Sequence, residues 1–270
     1  MLSTDGSILD FKQIDRLANG ETVLHRLDPR AKLLATLIFI VMVVSFGKYE
    51  LSALFPFFIF PAALIGIANL PAGFIARKVL LALPFALVVG MFNPFLDSST
   101  VMTLGPLAIS GGMISWLSII VKAMLTVSAA LSLVAVTGFP AICRALEQIG
   151  MPQAFAIQLM FLYRYIFVLT DEGGRASRAR SLRSCGKKGL GINSFSSLVG
   201  HLLLRTWQRA ERIHMAMMAR GFNGEFRTRR SPRFGMAETI FLAGWTSLFA
   251  IIRIYNLPQL LGGIMTRIMS

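Results

Sequence analysis

Five apolar stretches, each with one interior charge at most, divide this chain, and that pattern places it in a lipid bilayer. They run over 33–47, 51–76, 79–96, 113–137 and 239–265. A spanning helix takes about 20 apolar residues, so the first stretch is slightly short, and snorkelling of Lys32 and Lys48 can lengthen it. The second contains Pro56, Pro61 and Pro71, which predicts a kinked helix ending near Leu70. Arg77 and Lys78 follow before the third. Lys122 and Arg253 lie inside the fourth and fifth stretches. An ionisable side chain there is costly and pairs or faces the protein interior, so placement at helix interfaces is expected rather than a pore role. A hydrophobic fraction of 55% and a mean hydropathy of +0.66 agree with a membrane protein.

The net charge of +14 would suggest a nucleic-acid partner in a soluble protein, but its location argues for membrane orientation instead. Of the 27 Lys and Arg residues, 16 fall within 139–235. The stretch 97–112 is rich in Gly and Ser and has no Lys or Arg, so it is expected outside. Residues 1–30 are polar, carry Asp5, Asp10, Asp15, Glu21 and Asp28, and show no cleavable signal, so the N-terminus is expected in the cytoplasm. Four crossings then return the chain to the cytoplasm before 139, and a fifth carries the C-terminus outside. Lys48 goes against this orientation. The expected organisation is a cytoplasmic N-terminal segment (1–30), a membrane domain of four spans (31–138), cytoplasmic helices (139–235), and a fifth span with the C-terminus (236–270). Cys143 and Cys185 have neither a pairing pattern nor metal-ligand spacing, so the thiols are expected to be incidental.

The basic segment reads as helical. A short helix over Phe139–Ile149 ends at Gly150, and Pro152 opens a longer one reaching Ser184, apolar and aromatic over Ala154–Leu169 and Arg-rich from Asp171. Gly173 and Gly174 mark a weak point in it. After the Gly-rich break at Gly186–Gly191, Asn193 or Ser194 is expected to cap a helix that runs to Arg220 and stops at Gly221. Arg205, Arg209 and Arg212 share a face of it at helical spacing.

No G-x-x-x-x-G-K-[ST] loop, H-E-x-x-H motif or paired carboxylates on a helix occur. His25, His201 and His214 are far apart in sequence, and no metal ligand is assigned to them. Most of the arginines suit a solvated or headgroup-facing surface. Two sit differently, in frames of small residues near helix ends: Ala179-Arg180-Ser181 and Ala219-Arg220-Gly221. Such a tip fits a groove on a partner while the guanidinium meets carboxylates or carbonyls.

These residues resemble a known family, the transmembrane T component of energy-coupling factor (ECF) transporters, in its cobalt-transport Q branch (CbiQ). The resemblance covers nearly the whole chain. It starts at His25-Arg26-Leu27-Asp28-Pro29-Arg30-Ala31-Lys32 and is strongest at Arg209-Ala210-Glu211-Arg212 and Met217-Met218-Ala219-Arg220-Gly221-Phe222, with Ala179-Arg180-Ser181 as the partner signature. Ser181 stands where the wider family often has Gly.

The resemblance implies an all-α polytopic subunit, L-shaped, with about five spans and a cytoplasmic helical coupling part. It implies that Arg180 and Arg220 each dock into one of two ATP-binding-cassette ATPase subunits, with Arg209, Glu211 and Arg212 supporting the coupling helices. The other partners implied are an integral membrane subunit that binds Co²⁺ or Ni²⁺ and a further small membrane subunit. No nucleic-acid partner is expected. The chain itself then binds no cofactor and is not an enzyme, with ATP used by the partners. Met215, Met217, Met218, Phe155 and Phe161 are expected either to form an adaptable sliding surface or to pack as plain helix core. The alternative reading is a self-sufficient secondary transporter, although no internal repeat is apparent.

Overall fold

A computed structural model describes residues 13–48, 50–93, 100–104, 107–183, 192–222, 224 and 235–255. Asp5, Asp10, Cys185, the break at Gly186–Gly191 and the chain after 255 lie outside the described residues. The chain forms two compact units, one holding 14–142 and 232–270, the other 143–231 with the first residues.

The larger unit is helical. A single helical turn, Val23–Arg26, leads into α1 (Pro29–Val44). Asp28 caps α1 by accepting from the Arg30 backbone N–H at 2.8 Å, and Pro29 occupies the first turn, where a missing N–H costs nothing. Next, α2 (Leu51–Ile67) tightens into a 3₁₀ turn over Phe55–Phe58, where Pro56 sits. α2 ends close to the expected Leu70. The following helix, α3 (Ala72–Gly90), differs from expectation by starting before Arg77 and Lys78 and including both. Pro71 stops the preceding segment and serves as the N-cap of α3, so the charged pair falls in its second turn.

The stretch expected only as an external Gly/Ser-rich segment contains an antiparallel hairpin of β1 (Thr100–Leu104) and β2 (Leu107–Ser110), with Thr103 opposite Ala108. Four of its residues, Thr100, Val101, Thr103 and Ile109, are β-branched and favour strand over helix. Then come α4 (Gly111–Thr137), α5 (Phe139–Ile149) and, after the second unit, α8 (Met236–Tyr255).

An aromatic cluster joins α1, α2 and α8. The Phe39 ring lies 4.6 Å from Phe60 and 5.4 Å from Phe249, and Trp245 meets Phe60 edge-on at 4.9 Å. Such pairs add about 0.5–1.5 kcal/mol each beyond area burial. From α4, Leu125 and Ala129 complete this core. Gly90 lets α3 close on α4, since a Cβ there would come within 2.6 Å of the Trp116 ring.

Lys122 and Arg253, the cations inside the fourth and fifth apolar stretches, converge on the C-terminal end of α1. Lys122 of α4 donates to the Phe46 carbonyl at 2.6 Å. Arg253 of α8 donates to the Ser45 hydroxyl at 3.0 Å and the Met42 carbonyl at 3.4 Å, with its guanidinium 5.0 Å from the Phe46 ring. The physical reason is the shortness of α1: 16 residues span about 24 Å at 1.5 Å each, less than a hydrocarbon core of about 30 Å. Its last carbonyls would otherwise end in lipid without donors.

The second unit contains α6 (Gln153–Arg183) and α7 (Ile192–Ala219), with the division of the chain falling inside α5. Gly173 and Gly174 do not interrupt α6, which runs through both. Similarly, α7 begins at Ile192, so Asn193 and Ser194 fall within its first turn instead of capping it. By length and composition, four helices among the described residues are apolar enough to cross a membrane: Ala72–Gly90, Gly111–Thr137, Gln153–Arg183 and Met236–Ile254. Neither α1 nor α2 reaches that length as a regular helix, whereas α6 does on the strength of its aromatic first half.

Candidate functional site

The two arginine signatures sit on α6 and α7, which run antiparallel. Residues 161–169 of α6 face 203–217 of α7, and 176–183 face 197–205. Between these regions, Glu172 of α6 receives Arg205 at 3.4 Å and Arg209 at 3.2 Å. These two arginines are one turn apart and straddle a single carboxylate. Arg212, expected on the same face, donates instead to the Gln208 carbonyl of its own helix at 3.2 Å. Glu211 is exposed and makes no ion pair among the described residues.

Sequence reasoning missed Glu172. The available signal was the four-residue spacing of Arg205 and Arg209, which suits one shared acid, and Asp171-Glu172 is the only acidic pair in the facing helix.

The two signatures have different local structures. Ala219 is the last residue of α7, Arg220 follows it, and Gly221 adopts a φ of +75°. The Phe222 N–H bonds the Met217 carbonyl at 3.0 Å and the Gly221 N–H bonds the Met218 carbonyl at 2.9 Å. That pair of bonds is a Schellman cap, which needs a left-handed residue where Gly221 stands. The accompanying apolar contact is available from Phe222 and Met217, which line the same groove. Arg220 is thereby exposed at a fixed helix end.

Ala179-Arg180-Ser181, by contrast, lies inside α6, which continues through Arg183. Ser181 is ordinary helix, with its hydroxyl donating to the Arg178 carbonyl at 2.8 Å. No left-handed residue is required, which accounts for a serine where the second signature has glycine. Arg180 is half-buried and lines a groove of about 500 Å³ with Arg183, His201 and Arg205.

On the far side of the Glu172 contact, an apolar groove of about 420 Å³ is lined by Phe161, Tyr165, Trp207, Ile213 and Met217, among others. Two of the expected sliding residues, Phe161 and Met217, meet there. Phe155, Met215 and Met218 are exposed and outside it. Trp207, which sequence reasoning did not single out, is 74% exposed.

The N-terminal motif belongs to the other unit. His25 takes its two ring contacts from the Thr22 hydroxyl at 2.7 Å and the Leu17 carbonyl at 2.9 Å. Leu27 packs against the core, Lys32 is buried, and the Asp28 N–H donates to Glu238 of α8 at 3.4 Å. This motif shapes the entry to α1 and ties it to α8. His201 and His214 line the two different grooves of the second unit. Among the described residues no three His, Cys, Asp or Glu side chains group as metal ligands. Cys143 is buried, and burial raises its thiol above the ordinary pKa, which leaves it unreactive.

The profile of the cobalt transport protein family, CbiQ, matches residues 20–232 and so takes in every signature described above. The chain belongs to this family.

Among relatives of the family, an energy-coupling factor transporter transmembrane protein EcfT from Heliobacterium modesticaldum is 30% identical, over 78% of this chain and 85% of its own length. Another EcfT, from Acidaminococcus fermentans, is 26% identical over 86% of this chain and 92% of its own. A putative fused cobalt transport protein CbiMQ from Methanocorpusculum labreanum is 34% identical over 36% of this chain and 17% of its own. The family and these relatives are transmembrane transporter components, and the apolar helices of this chain make it a membrane protein of the same kind.

Proposed function

We propose that this chain is the coupling subunit of an ATP-driven importer for cobalt or nickel ions, passing motion from two ATP-binding-cassette ATPases to an integral membrane subunit that holds the metal. The observation that carries this reading is the placement of the signature arginines. Arg180 and Arg220 lie toward opposite ends of an antiparallel helix pair held at Glu172. Two ATPase subunits, each receiving one arginine, would move the ends of that pair relative to each other when they close on ATP. ATP binds and is hydrolysed in those partners, and this chain holds no cofactor of its own. A further small membrane subunit completes the assembly. The N-terminus and the basic segment face the cytoplasm of a prokaryotic cell, as the 16 of 27 basic residues within 139–235 favour. Cobalt is supported by the family description and by the name of the fused relative.

The test is ATP-dependent uptake of radioactive cobalt and nickel in vesicles carrying the whole assembly. One buried arginine anchor contributes ~2 kcal/mol, so Arg180→Ala with Arg220→Ala should slow uptake by roughly 30-fold or more. The chain should still be found in the membrane. Wild-type uptake by the double variant would remove the docking role.

A further inference from the structure

We propose that the groove between the C-terminal third of α6 and the N-terminal half of α7 binds the phosphate headgroup of an anionic phospholipid. Its walls carry Arg180 and Arg183 from α6 and Ser197, His201 and Arg205 from α7; Arg205 is already held by Glu172 at 3.4 Å, so Arg183, His201 and Ser197 are the groups that would meet the phosphate. Guanidinium groups pair bidentately with phosphate oxygens, and the serine hydroxyl adds a donor. At about 500 Å³ the groove falls within the range of small-ligand sites.

Chemistry beside the groove separates a lipid from an acidic protein segment. Leu198 and Leu202 line it, and Leu182, next to Arg183 in sequence, and Phe195 and Val199, close to Leu198 in sequence, are 86%, 54% and 44% exposed. Cations set among exposed aliphatic and aromatic side chains match a surface where headgroup and acyl chain adjoin. The same helix, α6, is apolar enough over its first half to enter a bilayer and becomes Arg-rich only in the part that lines the groove. An acidic peptide would use the cations but leave those apolar neighbours in water. The inference rests on Arg183, His201 and Ser197, which lie outside both signatures, whereas Arg180 is shared with the docking reading.

The full chain, purified in a neutral detergent, would be titrated with phosphatidylglycerol or phosphatidylcholine, and retained lipid counted by native mass spectrometry. The wild type should retain several-fold more phosphatidylglycerol than phosphatidylcholine. Arg183→Gln with His201→Gln should lose that preference, whereas Arg183→Lys and a control outside the groove, Arg26→Gln, should keep it. Thermal melting without added lipid confirms that the variants fold. Equal retention of both lipids by the wild type, or an undiminished preference in the folded double variant, would overturn the proposal. So would a double variant that keeps its lipid but no longer co-purifies with its ATPase partners, because the groove would then hold an acidic protein segment.

Discussion

Lys122 Nζ sits 2.6 Å from the Phe46 carbonyl, which makes a cation from the middle of α4 the terminal cap of α1. With Arg253 on the adjacent carbonyl and hydroxyl, the end of a short helix obtains donors that lipid cannot supply. A charge-assisted hydrogen bond contributes about 1.5–3 kcal/mol. Lys122→Met, which keeps the length and removes the donor, should lower the unfolding midpoint of the detergent-solubilised chain accordingly. Arg253→Met should lower it less, because Arg253 is exposed. A Lys122→Met protein as stable as the wild type would mean that α1 finds its donors elsewhere.

Asp28 permits a separate test at the other end of α1. Its side chain accepts from Arg30 N–H, while its own backbone N–H reaches Glu238. Only the first contact depends on the side chain. Asp28→Ala should cost about 1 kcal/mol, the usual loss for an N-cap, and Asp28→Asn should restore most of it, since Asn caps as well as Asp. Equal losses in the two variants, measured by thermal melting, would point to the charge and not the cap.

The helical membrane class was legible because apolar runs and interior prolines act locally, and the chain follows them at α2 and α4. Interface placement of Lys122 and Arg253 also followed from the cost of a charge in lipid. What they bind did not, because Phe46 lies 76 residues from Lys122 and only the tertiary fold brings them together. The closeness of Gly90 to Trp116 was hidden for the same reason. At α3 the sequence misled: a charged pair reads as a boundary, yet Arg77 and Lys78 lie in a helix already started after Pro71. On α6 two consecutive glycines read as a weak point. The helix continues through them, and Glu172, immediately before Gly173, is held by two arginines of α7.

That contact is expected to be modest. The Glu172 side chain is 18% exposed, but those of Arg205 and Arg209 are 72% and 44%, so each pair should contribute about 0.2–1 kcal/mol and weaken with salt. Glu172→Gln should therefore shift stability little while loosening the helix pair. Hydrogen exchange of the α7 amides near Arg205 and Arg209 should rise in the variant at low salt and match the wild type at high salt. A fully salt-independent difference would show that packing, not charge, joins the two helices at this point.

Gly221 is where the two signatures part most clearly, and it yields the sharpest prediction. At a φ of +75°, an L residue pays about 1–2 kcal/mol for left-handed backbone, so Gly221→Ala should fray the last turn of α7 without touching Arg220 itself. Ser181 sits in a right-handed helix, so Ser181→Ala carries no such penalty, and the loss of its hydroxyl bond to the Arg178 carbonyl should be nearly neutral. If a fixed helix end is what presents Arg220, Gly221→Ala should reduce ATP-dependent uptake in the assembled transporter while Ser181→Ala leaves it near wild type. The order of these two effects carries the argument: equal effects, or a larger one from Ser181→Ala, would mean that the Schellman cap does not set the position of Arg220.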